Sequence, residues 1–301
     1  MSEDALLSDL GEGRRKFLAL VAEVRPELHR YCARMAGSVV DGEDIVQDTL
    51  ARAYFALSDH PQLPPLRPWL FRIAHQRAID HLRRYERRMS EPLDDARDAG
   101  ADLDSDPEDA LAREEATQSA VWRFVELAPA QRSAVILKDV LGHSLEEIAR
   151  LLDLSVPAVK AALHRGRVRL HDLNAAGEAA APRRETSALV RRYVDLFNAR
   201  DWDGVRAMLS EDVRLDLLTR SQRSGRVEVG GYFANYDRLD DWRLVPAWLE
   251  GRETIAVFGN RPGPAPAYFI QLTFDGSRIV LIRDFRYVPY IAAEARIELA
   301  A

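Results

Sequence analysis

Cysteine is nearly absent from this sequence: Cys32 stands alone among 301 residues. A lone thiol excludes a disulfide framework and any multi-cysteine zinc site. No apolar run approaches the ~18 residues that a membrane-spanning helix requires. The opening residues, MSEDALLSDLGEGRRK, are acidic and polar where a secretory signal would be basic and then apolar. The chain is therefore expected to stay in the cytoplasm, away from any membrane. Histidine is missing after His171, and no pair of acids at a defined spacing marks a catalytic couple in the last third. No catalytic residue, metal or cofactor is assigned. What the chain does have is 47% apolar and 30% charged residues, enough for real cores. Its length fits two or three domains.

The net charge of −6 argues at first against nucleic acid, but it is unevenly placed. Residues 1–90 carry net +1, 91–120 net −9, 121–173 net +2, and 174–301 net 0. The acidic stretch is poor in large apolar residues and holds Pro92 and Pro107, so it reads as a linker. The secondary reading is an acidic strip that covers a basic surface. A second boundary, NAAGEAAAPRRE, is rich in alanine and lies near 174–185.

Between Glu23 and Arg88 the pattern is helical. Leu28, Tyr31, Cys32 and Met35 fall at i, i+3, i+4, i+7 spacing. The run from Asp41 to Thr49 opens a second helix with acids, where the macrodipole favours them, and Ile45, Val46, Thr49 and Leu50 form its apolar face. A proline-rich loop leads into WLFRIAHQRAIDHLRRYERRM. Residues 67–88 hold seven arginines and two acids. A basic helix with aromatic and amide residues suits contact with phosphates and bases. The same composition also fits a solvated amphipathic face.

Residues 144–170 are sharper. Ser144 and Glu147 form a capping box at the head of a short helix. Ser155 caps the next, VPAVKAALHRGRVRL, with Pro157 in its first turn. Val159, Ala162, Leu163 and Val168 are expected inward; Lys160, His164, Arg165, Arg167 and Arg169 outward. Two short helices, a tight turn and a basic second helix describe a helix-turn-helix, whose second helix would lie in the major groove. The upstream helix completes a core around Val135, Ile136, Leu137 and Val140. Such patterns also occur in bundles that bind no DNA.

Together these blocks resemble the extracytoplasmic function (ECF) group of the sigma-70 family of RNA polymerase initiation factors, over about residues 10–173. DGEDIVQDTLARAYFAL resembles the region 2 helix that docks on core polymerase, RPWLFRIAHQRAIDHLRR the helix that binds and melts the −10 element, and LAPAQRSAVILKDVLGHSLEEIARLLDLSVPAVKAALHRGRVRLHDL region 4, which reads the −35 element. The resemblance implies 10–90 as region 2, 91–112 as linker, 113–173 as region 4 and 174–185 as a further linker. It implies that Asp44, Gln47 and Asp48 face core polymerase, through the clamp helices of its beta-prime subunit, with the beta flap as a further contact. Arg67, Trp69, Arg72, His75, Gln76, Arg77, Arg83 and Arg84 would meet the −10 DNA, with a flipped base held by the loop from Ser58 to Arg67. Ser155, Lys160, His164, Arg165 and Arg167 would meet the −35 DNA. Gln76 stands where the family usually has Asn. The chemistry in this role belongs to the polymerase, so the chain is not expected to be an enzyme.

Residues 186–301 read as helix, short helix, strand, then four alternating strands with Asp275-Gly276 as a hairpin turn. The expectation is an α+β domain with a curved antiparallel sheet. Tyr193, Phe197, Asn198 and Asp201 resemble the opening of the SnoaL-like group, which shares the cone-shaped fold of nuclear transport factor 2. That resemblance implies a pocket, with Asp216, Tyr232, Trp242, Trp248, Tyr268, Asp284, Arg286 and Tyr287 as candidates for its wall; aromatic core filling with a solvated Asp284–Arg286 pair is the plainer reading. The whole is a multidomain chain: two all-α DNA-binding domains followed by a cone-shaped α+β domain. The last domain is expected to contact regions 2 and 4 and modulate them, to sense an unknown small ligand, or, less readily, to act as a cyclase- or isomerase-like enzyme. A helix-turn-helix repressor that never engages polymerase is the remaining alternative.

Overall fold

The computed structural model describes residues 3–57, 65–89, 108–176, 185–237, 242–259 and 265–300. The acidic stretch up to residue 107, the loop residues 58–64 and the boundary residues 177–184 lie outside them. The chain forms two compact units, Met1–Glu178 and Ala179–Ala301.

The first unit opens with α1 (Glu3–Ala36), helical well before Glu23 and continuous through Pro26. Its end is set by Gly37, whose φ of +76° suits a residue without Cβ. The Ser38 hydroxyl then accepts the Asp41 amide at 3.1 Å, and α2 (Val39–Leu57) begins. Gly42 lets the two helices touch: a Cβ there would meet the Ala33 backbone at 2.5 Å. Across them lies α3 (Leu66–Met89), contributing buried Leu70, Phe71, Ala74 and Ala78.

The second half of this unit starts with α4 (Glu108–Gln118), which reaches back into the span expected to be linker. A 3-10 turn (Val121–Glu126) and α5 (Pro129–Val135) follow, the latter continuing as a π-helical turn (Ile136–Val140). Then come α6 (Leu145–Leu152) and α7 (Val156–Ala175). The capping box is present in both directions, Ser144 accepting from Glu147 at 3.2 Å and Glu147 from Ser144 at 2.8 Å. Val159, Ala162 and Leu163 are buried as the spacing requires. Val168 is not: it is 50% exposed, because the inward positions of this turn go to Gly166 and Leu170.

The sequence divides α1–α3 from α4–α7, yet the two sets share one core running from Phe17 to Leu170. The Arg132 guanidinium joins them. It is buried and donates to the carbonyls of Met35 at 2.5 Å, Val125 at 2.7 Å and Leu127 at 2.9 Å. Beside it, the Tyr31 hydroxyl touches Ser133 Oγ at 3.2 Å and His75 Nδ1 at 2.8 Å.

In the second unit, α8 (Ala188–Asn198) and α9 (Trp202–Ala207) are capped by Ser187 and Asp201. The strands are β1 (Leu209–Leu217), β2 (Ser221–Ser224), β3 (Arg243–Leu249), β4 (Arg252–Phe258), β5 (Tyr268–Asp275), β6 (Arg278–Asp284) and β7 (Ile297–Leu299). Helices α10 (Arg226–Tyr232), α11 (Ala234–Asp237) and α12 (Pro289–Glu294) complete it. The sheet order is β2-β1-β6-β5-β4-β3-β7. The sheet is mixed, not purely antiparallel, because β1 inserts beside β6 running in the same direction. Register shifts in the β1/β6 and β5/β6 pairs mark where strands bend. The hairpin between β5 and β6 turns at Gly276, φ +54°. Asn198 ties α8 to β3, its amide group donating to and accepting from the Leu244 backbone, both at 2.9 Å. Tyr193 and Phe197 fill the core behind it.

Replacing Arg132 with Met removes the guanidinium donors to those carbonyls. Urea unfolding of the full chain, followed by helical circular dichroism, should show the first unit destabilised by about 3 kcal/mol or more.

Candidate nucleic-acid interface and a buried carboxyl cluster

The three acidic-face candidates lie on α2. Asp44 is exposed, and Gln47 and Asp48 are half-buried. Asp48 accepts Arg52 Nε on both oxygens at 3.1 Å and stands 3.9 Å from Arg77. The position before them, Glu43, is fully buried and ion-paired to Arg25. Sequence reading took the acids of this helix as a surface feature; Glu43 anchors α2 to α1 instead. Asp44 and Asp48 share a cleft of about 500 Å³ with Arg77, Asp80, His81 and Arg84 of α3. Residues expected to meet two different partners thus line one groove.

The α3 candidates divide between two faces. Gln76, Arg83 and Arg84 are exposed, and Trp69 is half-buried on the Gln76 side by the i, i+7 spacing. Arg77 pairs with Asp80 at 2.6 Å, and Arg67 with Glu27 at 2.8 Å. Arg72 reaches the second half of the unit, its guanidinium donating to the Arg150 carbonyl at 3.3 Å, whereas His75 is held within the first half by Tyr31 of α1. Burial pushes the His75 imidazole down to about 4, so it is neutral at pH 7. Sequence reading missed Tyr31 as a partner of His75, because 44 residues separate them.

On α7, the Ser155 hydroxyl is occupied as the N-cap, accepting from Ala158 at 3.3 Å. Lys160 and Arg165 are half-buried and His164 is exposed. Arg167 makes a bidentate pair with Asp139, Nε to Oδ2 at 2.9 Å and Nη2 to Oδ1 at 2.6 Å, and the Asp139 side chain has no exposed surface. The fork geometry makes this the strong kind of ion pair. Nothing local in the sequence announces Asp139 as its partner.

In the second unit, Asp284 is 1% exposed, not solvated as the plainer sequence reading had it. Its Oδ2 accepts the hydroxyls of Tyr232 at 3.0 Å and Tyr236 at 3.2 Å, and its Oδ1 accepts the Arg286 amide at 2.9 Å. Tyr236 also bonds Tyr268 at 3.0 Å. Burial raises the Asp284 carboxyl above its ordinary range, against the lowering effect of those three donors. Burial likewise raises all three phenols. The Arg286 guanidinium lies 5.0 Å from the Trp242 ring, whose indole N–H is buried with no partner among the described residues. Tyr236, at the centre of this cluster, was overlooked; its i, i+4 spacing from Tyr232 was the available signal. Trp248 shares the sheet face of Tyr268 by register, whereas Tyr287 stacks under Arg220. Asp216 is a correction. It pairs with Arg283, one position off Leu217–Asp284, so period-2 alternation puts it on the opposite sheet face. Among the described residues no group of three or more His, Cys, Asp or Glu could hold a metal ion, and no helix is long and apolar enough to cross a membrane.

Residues 20–88 match the family described as Sigma-70 region 2, and residues 124–170 that described as Sigma-70, region 4. The chain is 32% identical over 231 residues to the ECF RNA polymerase sigma factor SigG of Mycobacterium tuberculosis, covering 67% of this chain and 61% of SigG. It is 34% identical over 137 residues to the ECF RNA polymerase sigma factor SigF of Caulobacter vibrioides, covering 45% of this chain and 72% of SigF. The crystal structure of the M. tuberculosis extracytoplasmic function sigma factor SigJ aligns at 21% identity over 89% of this chain and 95% of SigJ, with a TM-score of 0.36.

Two outcomes follow from this geometry. Arg167→Gln strands the buried Asp139 carboxylate and should cost about 3 kcal/mol of stability in urea unfolding, whereas Lys160→Ala and His164→Ala should stay within about 0.5 kcal/mol. An acid whose pKa is raised in the folded state holds its proton more tightly there. Stability of the second unit should therefore fall as pH rises from about 4 through the raised Asp284 value. Asp284→Asn should flatten that part of the stability–pH curve measured by urea unfolding.

Proposed function

The chain belongs to the ECF RNA polymerase sigma factors, and on that premise we propose that it is a promoter-specific transcription initiation factor. It would bind core RNA polymerase and recognise −10 and −35 DNA, with residues 10–90 acting as region 2 and 113–173 as region 4. The observation that carries this reading is the order of parts: a region 2 match with a basic α3, then a region 4 match whose capped α7 carries Lys160, His164 and Arg165. Asp44, Gln47 and Asp48 would meet the beta-prime clamp helices, and region 4 the beta flap. In the −10 set, Trp69, Gln76, Arg83 and Arg84 would lead, since they lie on the outward side of α3. In the −35 set, Lys160, His164 and Arg165 would make the DNA contacts, while Arg167 positions α7 through Asp139. The reaction is the polymerase's, so no enzymatic activity is proposed for this chain, and its place would be the cytoplasm, where polymerase and promoter are.

The second unit would modulate that activity through contact with regions 2 and 4. A reading of it as a small-molecule sensor has one specific support: the buried Trp242 N–H, without a partner among the described residues, beside Arg286 and the Asp284 cluster.

Co-purification with core polymerase tests the main reading. Asp44→Ala combined with Asp48→Ala should weaken the complex at least tenfold, and an unaltered complex would reject the assigned face. Lys160→Ala should weaken binding to the −35 duplex and lower the salt slope by about one ion. Truncation after Pro182 should change run-off transcription from the chain's own promoter; equal transcript yield would reject modulation by residues 183–301.

A further inference from the structure

We propose that the second unit recognises an organic monoanion, a carboxylate carried on an aromatic ring, with the Arg286 guanidinium and the Trp242 N–H as the donors that take its oxygens. The proposal rests on the reading of this unit as a small-molecule sensor and names the chemistry of what it senses.

Three arginines border the aromatic cluster, each over a ring. The Arg286 guanidinium lies 5.0 Å from the centre of the Trp242 ring and 5.5 Å from that of Tyr236. Arg223 lies 5.9 Å from the Tyr232 ring, and Arg220 lies 4.8 Å from the Tyr287 ring. None of the three makes an ion pair among the described residues, whereas Arg206 and Arg226 of the same unit are paired to Asp203 and Glu211. The acid of the cluster does not serve Arg286 either. Asp284 spends Oδ2 on the Tyr232 and Tyr236 hydroxyls and Oδ1 on the Arg286 backbone amide, and burial favours its neutral form.

The indole is held in place from behind. A Cβ on Gly259 would stand 2.8 Å from Trp242 Cζ3, so the missing side chain is what lets the ring sit there. Its edge-on neighbours are Tyr268 at 5.6 Å and Tyr236 at 6.5 Å. Its N–H is nonetheless buried with no partner among the described residues. A buried donor left unmet is costly, and a bound oxygen removes that cost.

Cations and a buried N–H thus exceed the acceptors available to them. A carboxylate accepts charge-assisted hydrogen bonds from such a pair better than a neutral carbonyl does. The surrounding phenol and indole faces suit a flat apolar body. A phosphate dianion fits less well, because its second charge would be buried with one guanidinium facing the indole. Arg223 and Arg220 are turned onto other rings and add a positive field that draws an anion in.

The test is titration calorimetry of the full chain with sodium 1-naphthoate, with its neutral analogue 1-naphthamide, and with inorganic phosphate, at one ionic strength. Naphthoate should bind about tenfold more tightly than the amide. Arg286→Gln should weaken naphthoate binding about tenfold and leave the amide within about twofold. Trp242→Phe keeps an aromatic ring, removes the N–H and should weaken both probes roughly fivefold. It carries the test if circular dichroism finds Arg286→Gln unfolded. Arg226→Gln, outside the cluster, should bind both probes as wild type does. Amide binding equal to or tighter than naphthoate binding overturns the anion assignment and leaves a sensor of neutral ligands. Phosphate binding tighter than naphthoate binding, and lost in Arg286→Gln, overturns it in favour of a phosphate-bearing ligand. Naphthoate binding unchanged by both variants places the probe elsewhere and rejects the site. If no probe binds at millimolar concentration, the proposal falls and the sensor reading falls with it.

Discussion

A buried cation that donates to several backbone carbonyls fixes geometry more tightly than most contacts can. Arg132 is such a group, and the first unit depends on it. Its acceptors are the carbonyls of Met35, at the end of α1, and of Val125 and Leu127, around the 3-10 turn. None of these can move without moving its helix or turn. The guanidinium thus locks the end of α1 to the start of the second half. Gly37 and Gly42 follow from that constraint. The chain must turn at once after Met35, at positive φ, and bring α2 back within touching distance of Ala33. Val125 then presses on Gly37, where any larger residue would meet it.

The same contact explains what sequence could and could not reveal. Local rules predicted the capping box at Ser144, the cap at Ser155, the inward side of α7 apart from Val168, and the turn at Gly276, because each is decided within a few residues. The family blocks made the order of regions plain. The shared core was not legible, since it depends on Arg132 reaching a carbonyl 97 residues away, and composition marked that point only as a basic residue in a helix. The β1–β6 pairing was missed for a related reason. Alternation shows that β1 has a buried face, but not which strand lies beside it or in which direction. One step of register then separated Asp284, inside, from Asp216, outside.

Counting charges also has a limit that the structure makes concrete. The positive segments looked like free basic surface, yet several of their arginines already have acidic partners. These pairs are not equivalent. Arg67–Glu27 and Arg77–Asp80 are partly exposed, so each is worth little and can give way to a phosphate. Arg167–Asp139 has a fully buried carboxylate, and breaking it would leave an uncompensated charge. The first kind can be given up at little cost, while the second is architecture. Burial of the acid, rather than the presence of the base, separates them.

The second unit shows a related balance around Asp284. Three hydrogen-bond donors favour its charged form, while burial favours the neutral one, and burial is the larger influence. The phenols around it are amphipathic bodies whose polar ends all converge on one point, and Trp242 brings an N–H that none of the described residues satisfies. A polar centre inside aromatic walls is what the proposed sensor reading draws on. If it only filled the core, the unmet indole N–H would remain a standing cost of about 1–3 kcal/mol. That cost is what weighs a ligand-sensing role against a purely structural one.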